Sequence, residues 1–285
     1  LDTVTLIEVG LRDGLQSEPP VATEVKLRWA DRLIAAGVRD LQAASFVNPA
    51  RVPAMADADA VCAALTERPE VNVSALVLNA KGLERAHAVG IRYIDMGLSA
   101  SPGHSARNTG KSTAEALGEL IGMIERARHL GLRVRAAVQC IFGCPPENDL
   151  CPEDVAALVK ELMRTHPDQI ALADSSGQGT PNVLRTLLMK IQPLTGSTPV
   201  VLHLHDTHGR GYENLRVGLD AGVRHFDTAF GGLGGCPFIP GAKGNIGTEA
   251  TVRLLHEWGY QTSVDAAGVA QVSREAEDVL GKVLQ

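Results

Sequence analysis

The feature that most constrains the fold of this chain is an alternation, repeated eight times, of a short β-rich run with a longer amphipathic stretch. The β-rich runs fall at 4–10, 39–47, 71–78, 92–99, 133–140, 168–174, 199–206 and 225–231. Helical patterns follow them at 22–36, 53–67, 80–89, 112–130, 152–165, 180–192, 211–221 and 246–258. In the first helix Leu27, Ala30, Leu33 and Ile34 recur at helical spacing, and Gly37 stands where a left-handed stop is wanted. Strands that alternate with helices generate a parallel sheet. Eight units favour its closure into a (β/α)8 barrel over an open doubly wound sheet, which also carries a Gly-rich phosphate loop after its first strand. Here the first strand runs into Leu11-Arg12-Asp13-Gly14, so a dinucleotide fold is disfavoured. The stretch 263–285, with Val264, Ala267, Val272 and Val279 among charges, reads as an appended C-terminal helix. A length of 285 residues suits one such catalytic domain spanning 1–285.

With 45% hydrophobic and 21% charged residues the chain can bury a large core, which excludes disorder. The net charge of −6 gives no overall attraction for nucleic acid or an anionic membrane, so an anionic substrate needs a local basic patch. Neither a long apolar run nor a leader pattern is visible, and the odd set Cys62, Cys140, Cys144, Cys151 and Cys236 does not read as a disulfide framework. The expectation is a cytoplasmic protein without nucleic-acid or membrane partners, assembled as a homo-oligomer.

In a parallel barrel the active site lies at the carboxyl ends of the strands, so polar residues that end a strand carry the most information. The seventh run ends in His203-Leu204-His205-Asp206. Alternation along a strand sends His203 and His205 to the same face, and two imidazoles in a largely apolar interior point to a shared cation. The competing reading is a pair of hydrogen-bonded structural histidines. At the end of the first strand, Asp13 can add the oxygen ligand that suits Mg²⁺ or Mn²⁺, while Arg12 faces an oxyanion; the bland alternative is a surface ion pair. The loop Gly231-Gly232-Leu233-Gly234-Gly235-Cys236-Pro237 is rich enough in glycine to bend tightly or close over a ligand, and Cys236 is a candidate proton donor or else incidental. Asn245 and Glu249 either face the site or cap the helix they open, and Asp174 either supports the site or caps a turn. The spacing Cys140, Cys144, Cys151, interrupted by Pro145-Pro146, does not match a common zinc knuckle and is read as loop packing.

Together these residues resemble the metal-dependent carbon–carbon lyases of the 3-hydroxy-3-methylglutaryl-CoA lyase family, whose fold is the TIM barrel. The resemblance rests on Val9-Gly10-Leu11-Arg12-Asp13-Gly14-Leu15-Gln16, Ala44-Ser45-Phe46-Val47-Asn48-Pro49, Gly177-Gln178-Gly179-Thr180-Pro181, His203-Leu204-His205-Asp206-Thr207 and Gly234-Gly235-Cys236-Pro237. It implies Asp13, His203, His205 and Asn245 as metal ligands, and Arg12, Gln16, Ser45, Arg107 and Asn108 as substrate contacts. Arg12 also becomes the enolate-stabilising cation and Cys236 the mobile proton donor, with Asp174, Gln42 and Glu249 completing the catalytic set. The implied reaction is a retro-Claisen cleavage of a small-molecule acyl-CoA. A divalent cation lowers the pKa of a tertiary hydroxyl, a base such as His203 or Asp13 takes its proton, and the carbon–carbon bond breaks to a thioester enolate that Cys236 protonates to acetyl-CoA.

The chain departs from the family pattern in three places. Gln42 stands where the family carries an acid, keeping the hydrogen-bonding shape but losing the charge. The family's Pro-Lys-Trp is replaced by Pro49-Ala50-Arg51, and a basic residue is missing near Glu18-Pro19-Pro20, which leaves Arg51, Arg107 and Lys111 as candidates for the CoA phosphates or as an ordinary solvated face. The rival readings are an aldolase acting on a branched hydroxy acid without CoA, a zinc barrel hydrolase, in which the H-x-H pair generally sits on the first strand, and a catalytically impaired acyl-CoA-binding barrel with Gln42 as its symptom.

Overall fold

The computed structural model describes residues 2–146, 150–234 and 244–284. Eight strands, β1 (Thr5–Glu8), β2 (Asp40–Ser45), β3 (Asn72–Leu76), β4 (Tyr93–Ser99), β5 (Arg133–Gln139), β6 (Gln169–Asp174), β7 (Val200–Leu204) and β8 (His225–Thr228), pair in sequence order into a closed barrel. Every pairing is parallel, and closure comes from β8 against β1, in register from Thr5 opposite His225 to Glu8 opposite Thr228. Strands of such a barrel are covered on both faces, which is why Val200–Leu204 is buried throughout.

The helices are α1 (Thr23–Ala35), α2 (Ala58–Leu65), α3 (Ala80–Ala88), α4 (Pro102–Thr109), α5 (Thr113–His129), α6 (Pro152–Met163), α7 (Pro181–Thr195), α8 (Gly211–Asp220), α9 (Thr248–Glu257) and α10 (Ala266–Leu280). None of the helices among the described residues is long and apolar enough to cross a membrane. Local chemistry sets their ends. Ser112 and Glu115 form a reciprocal cap at the start of α5, and Thr180 with Pro181 opens α7. Gly37 ends α1 at φ +90°, and a Cβ there would meet the Ser263 carbonyl oxygen at 1.9 Å, so the stop read in the sequence is also a point of close approach. The appended helix α10 packs on α1 and α9, where Trp29 of α1 is fully buried and meets Phe230 edge to face with ring centroids 5.8 Å apart.

The structure corrects the expected elements in three places. The pattern at 53–67 divides into a short 3-10 turn at Pro53–Met55 and then α2, because Pro53 opens a turn that does not propagate. Helix α4 was not anticipated, although Ser101 caps it by accepting from His104 N and Pro102 occupies its first position. After β1 the chain makes a wide π-type turn, Gly10–Gly14, in which Arg12, Asp13 and Gly14 all donate to the Val9 carbonyl at 3.1, 2.7 and 3.2 Å. Such turns concentrate at functional sites, and this one ends β1 abruptly and turns Arg12 and Asp13 into the barrel mouth.

Candidate metal centre and active site

Asp13, His203 and His205 are all buried, and each offers one ligand atom within 4.8 Å of the others. The Nε2 atoms of the two imidazoles face each other at 3.1 Å, and Asp13 Oδ2 lies 3.8 Å from the first and 3.9 Å from the second. Asn245 joins through its amide, which donates to Asp13 Oδ2 at 2.8 Å and to the Leu233 carbonyl at 2.9 Å. It arrives there because the segment after the glycine loop pairs antiparallel with the end of β7, His205 opposite Asn245, with Ile246 N donating to the Leu204 carbonyl. Gly234 makes room for it: a Cβ at that position would stand 2.6 Å from Asn245 Nδ2.

Asp13 and His203 are each held by a further residue. His203 Nδ1 lies 3.0 Å from Asp227 Oδ2, a contact that fixes the ring with Nδ1–H donating and leaves the Nε2 lone pair facing the cluster. Burial works against charge on Asp13, yet the Arg12 guanidinium and the neighbouring imidazoles hold its carboxyl below the usual carboxylate range. Burial, reinforced by His203, pushes His205 down to about 4, so the ring is neutral near pH 7 and presents a lone pair. The donor set of one carboxylate, two imidazoles and one amide suits a divalent cation of the Mg²⁺ or Mn²⁺ kind. Among the described residues the buried Asn245 Oδ1 has no hydrogen-bond partner, so the amide that reaches Asp13 keeps an oxygen to spare.

The barrel interior below this cluster is not the apolar space expected from the sequence. A continuous chain of buried polar groups crosses it. Arg12 Nη1 donates to Asp13 Oδ1 at 2.5 Å, and Arg12 Nε donates to Gln42 Oε1. Gln42 Nε2 donates in turn to Asp95 Oδ2, which also accepts from Ser74 Oγ at 2.8 Å. Arg135 bridges onward, from Asp95 Oδ1 at 2.5 Å to Asp227 Oδ1 at 2.7 Å, and Asp227 returns to His203. Buried charges persist only when paired, and here each partner satisfies the next. Asp95, Arg135 and Asp227 escaped the sequence reading; their signal was a charged residue in the middle of a strand that the barrel covers on both sides.

The remaining candidates divide by position. Gln16 Nε2 donates to Asp13 Oδ1 at 3.0 Å, so Gln16 borders the cluster. Ser45 ends β2 beyond an irregularity in pairing between Gln42 and Ala44, which shifts the strand's face alternation by one residue. The Asp174 carboxylate, pushed up to about 6 by burial, accepts from Gln178 N and Gly179 N at 2.9 Å each and so shapes the loop after β6. Glu249 accepts from Gly231 N at 3.1–3.2 Å and from Ser273 Oγ, tying α10 to the turn after β8. Glu8, also unanticipated, is pushed up to about 8 by burial and braces the wide turn by accepting from Gly10 N at 2.8 Å and Phe230 N at 3.0 Å. Asn108 is not brought to the cluster; it lines a cleft with Leu98, Ser99, Lys111 and Gln139 beside α5. Arg107 donates to the Pro145 carbonyl at 3.2 Å, Lys111 pairs with Glu119, and Arg51 is exposed. Cys236 lies outside the described residues.

Comparison with known proteins converges on this architecture. Residues 3–275 match the family model described as HMGL-like. The chain is 37% identical to the (R)-citramalyl-CoA lyase of Chloroflexus aurantiacus, over 100% of this chain and 93% of that protein. It superposes on the HMG-CoA lyase of Bacillus subtilis with a TM-score of 0.96 at 36% identity, covering 100% of this chain and 96% of the other. An HMG-CoA lyase from Acinetobacter baumannii, solved in complex with coenzyme A and 3-methylmalate, superposes with a TM-score of 0.93 at 32% identity, covering 99% of this chain and 93% of the other.

Proposed function

This chain belongs to the HMGL-like family and is a carbon–carbon lyase of the CoA-thioester class, and from that premise we propose that it cleaves a 3-hydroxy-3-methylglutaryl-CoA-like thioester to acetyl-CoA and a keto acid at the Asp13–His203–His205 centre. The single observation that carries the reading is the convergence of that carboxylate and two buried imidazoles beside the Arg12 guanidinium. Asp13, His203, His205 and Asn245 would hold a divalent cation, Mg²⁺ or Mn²⁺, which when bound supplies Lewis acidity to the oxygens of a tertiary alcohol and its neighbouring carboxylate.

The chain's own residues do the rest. The substrate hydroxyl gives up its proton to a base, the role for which His203 or Asp13 is the candidate. The bond between C2 and C3 breaks, its electron pair moves to the thioester as an enolate, and the former alcohol carbon becomes the carbonyl of the keto acid. In this reading Arg12 is the cation that meets the developing enolate charge; Asp13 on one side and Gln42 on the other fix it, so it need not reorganise as the charge appears. The enolate carbon then takes a proton, a role that the family resemblance assigns to Cys236. Gln16, Ser45 and Arg107 complete the substrate contacts in this reading, and Asp174 and Glu249 position the loops around the mouth. Asn108, in the cleft beside α5, contacts the substrate only at the CoA end.

A panel of hydroxyacyl-CoA thioesters, incubated with Mg²⁺, with Mn²⁺ and with EDTA and analysed by mass, tests the proposal. The expected outcome is acetyl-CoA that appears with either cation and vanishes with EDTA. Turnover of a branched hydroxy acid without CoA, combined with none of any thioester, would move the assignment to an aldolase.

A further inference from the structure

A second cluster of metal-ligating side chains lies outside the proposed active centre. His104 of α4, with Cys140 and Cys144 from the loop after β5, bring one nitrogen and two sulfurs within 4.8 Å of one another. Both cysteines are 1% exposed and His104 is half-buried. Tetrahedral zinc, with bonds of roughly 2.0–2.3 Å, separates its donors by roughly 3.5–3.8 Å, so the cluster needs a contraction of at most roughly 1.3 Å to close on an ion.

The loop is shaped to present both thiols. Cys140 adopts φ +54°, a left-handed conformation that a non-glycine residue holds only when its surroundings enforce it. Those surroundings are on hand: Ser175 Oγ accepts from Cys140 N at 3.3 Å, Gly143 N closes a tight turn onto the Cys140 carbonyl at 2.9 Å, and Ser176 Oγ donates to the Gly143 carbonyl at 3.0 Å. Arg107 of α4 reaches across to the Pro145 carbonyl, holding helix and loop together from the other side. The sequence spacing Cys-x₃-Cys hid this arrangement because the third donor comes from another element.

We propose that His104, Cys140 and Cys144 form a binding site for a thiophilic divalent cation of the Zn²⁺ class, with water in the fourth position on the half-open His104 side. Two sulfurs and an imidazole select against Mg²⁺ and for Zn²⁺, so this site and the carboxylate-bearing centre at the mouth take different ions from the same solution. Burial and the neighbouring Arg107 lower the His104 pKa, keeping the ring neutral and able to ligate. Burial pushes the Cys140 thiol up to about 12, so metal uptake must displace its proton. The bound ion would lock α4, which carries Arg107 and Asn108, onto the loop after β5.

The test uses Co²⁺ as a spectroscopic probe on reduced, full-length protein carrying Cys236→Ser with Mg²⁺ in large excess, which removes the thiol of the glycine-rich loop and competes for the Asp13–His203–His205 centre. The expected result is one Co²⁺ per chain with a thiolate-to-metal charge-transfer band, displaced by Zn²⁺. The band should disappear in Cys144→Ser, and affinity should fall at least about tenfold in His104→Phe, the milder surface-side change that keeps the test valid if the cysteine variant folds poorly. A folded parent with no such band, or a band that survives in both variants, overturns the proposal. Because neither readout is turnover, failure here leaves the lyase assignment standing, and failure of the lyase assignment leaves this site standing.

Discussion

The two clusters at this end of the barrel differ in what holds them. Asp13, in the turn after β1, and His203, on β7, are braced from inside the barrel by a run of paired charges that leads from Arg12 to Asp227, and His205 stands beside them at the end of β7. His104, Cys140 and Cys144 stand on a short helix and a loop, braced by local hydrogen bonds that Ser175, Ser176 and Arg107 make with the loop backbone. The first is an oxygen and nitrogen site at the strand ends; the second is a sulfur and nitrogen site on a helix and a loop. Chemistry that must align reacting atoms belongs on strand ends, whereas an ion that only fastens two segments can sit on a loop.

The sharpest way to break this contrast is to delete one cluster and watch the other. His205→Ala should abolish Mn²⁺ binding at the mouth and reduce lyase activity to background, while the Co²⁺ charge-transfer band of the thiol cluster keeps its intensity. Calorimetric Mn²⁺ titration beside the absorption spectrum reads both. Retention of tight Mn²⁺ binding in this variant removes His205 from the ligand set.

A smaller effect is expected one step back from the ligands. Asp227 fixes His203 through Nδ1 and shares Arg135 with Asp95. Asp227→Asn keeps an acceptor oxygen but removes the charge, and loss of such an outer partner weakens a metal site by about 10–100-fold. Mn²⁺ affinity should therefore drop in that range in a protein whose circular dichroism and Co²⁺ band are unchanged. An unchanged Mn²⁺ affinity would mean that the ion-pair run is scaffolding for the barrel alone.

The same contrast explains what could be read before any coordinates. His203 and His205 were legible because strand periodicity of two places them together, and Asp13 because barrel chemistry collects at strand ends. Closure of eight parallel strands was legible from eight repeats. The thiol cluster was not, since its histidine comes from α4, a helix too short and polar to show a strong periodic pattern, and its spacing matched no linear motif. Nor was the interior charge run: Asp95, Arg135 and Asp227 lie on three strands far apart in sequence, and only the closed barrel brings them into line. Cys236, the most specific element of the glycine loop, falls outside the described residues.

The smallest and most discriminating effect concerns Gln42. It donates to Asp95 and accepts from Arg12, so a buried carboxylate stands one side chain further in from this position. A Gln42→Glu change would set two carboxylates against each other with no proton donor between them, pulling Arg12 out of line or forcing one acid to protonate. Asp95→Asn should relieve this, because its amide can donate to the new glutamate. Gln42→Glu and Asp95→Asn should each lower kcat/KM, and the double variant should recover part of the loss, with a coupling of about 0.5–3 kcal/mol in the cycle. The recovery should appear in kcat more than in KM, since the residue served is Arg12, whose contribution grows as the enolate forms. Multiplicative single effects would mean that Gln42 and Asp95 act independently, and a Gln42→Glu enzyme faster than its parent would favour the reading of this chain as a binding barrel with impaired turnover.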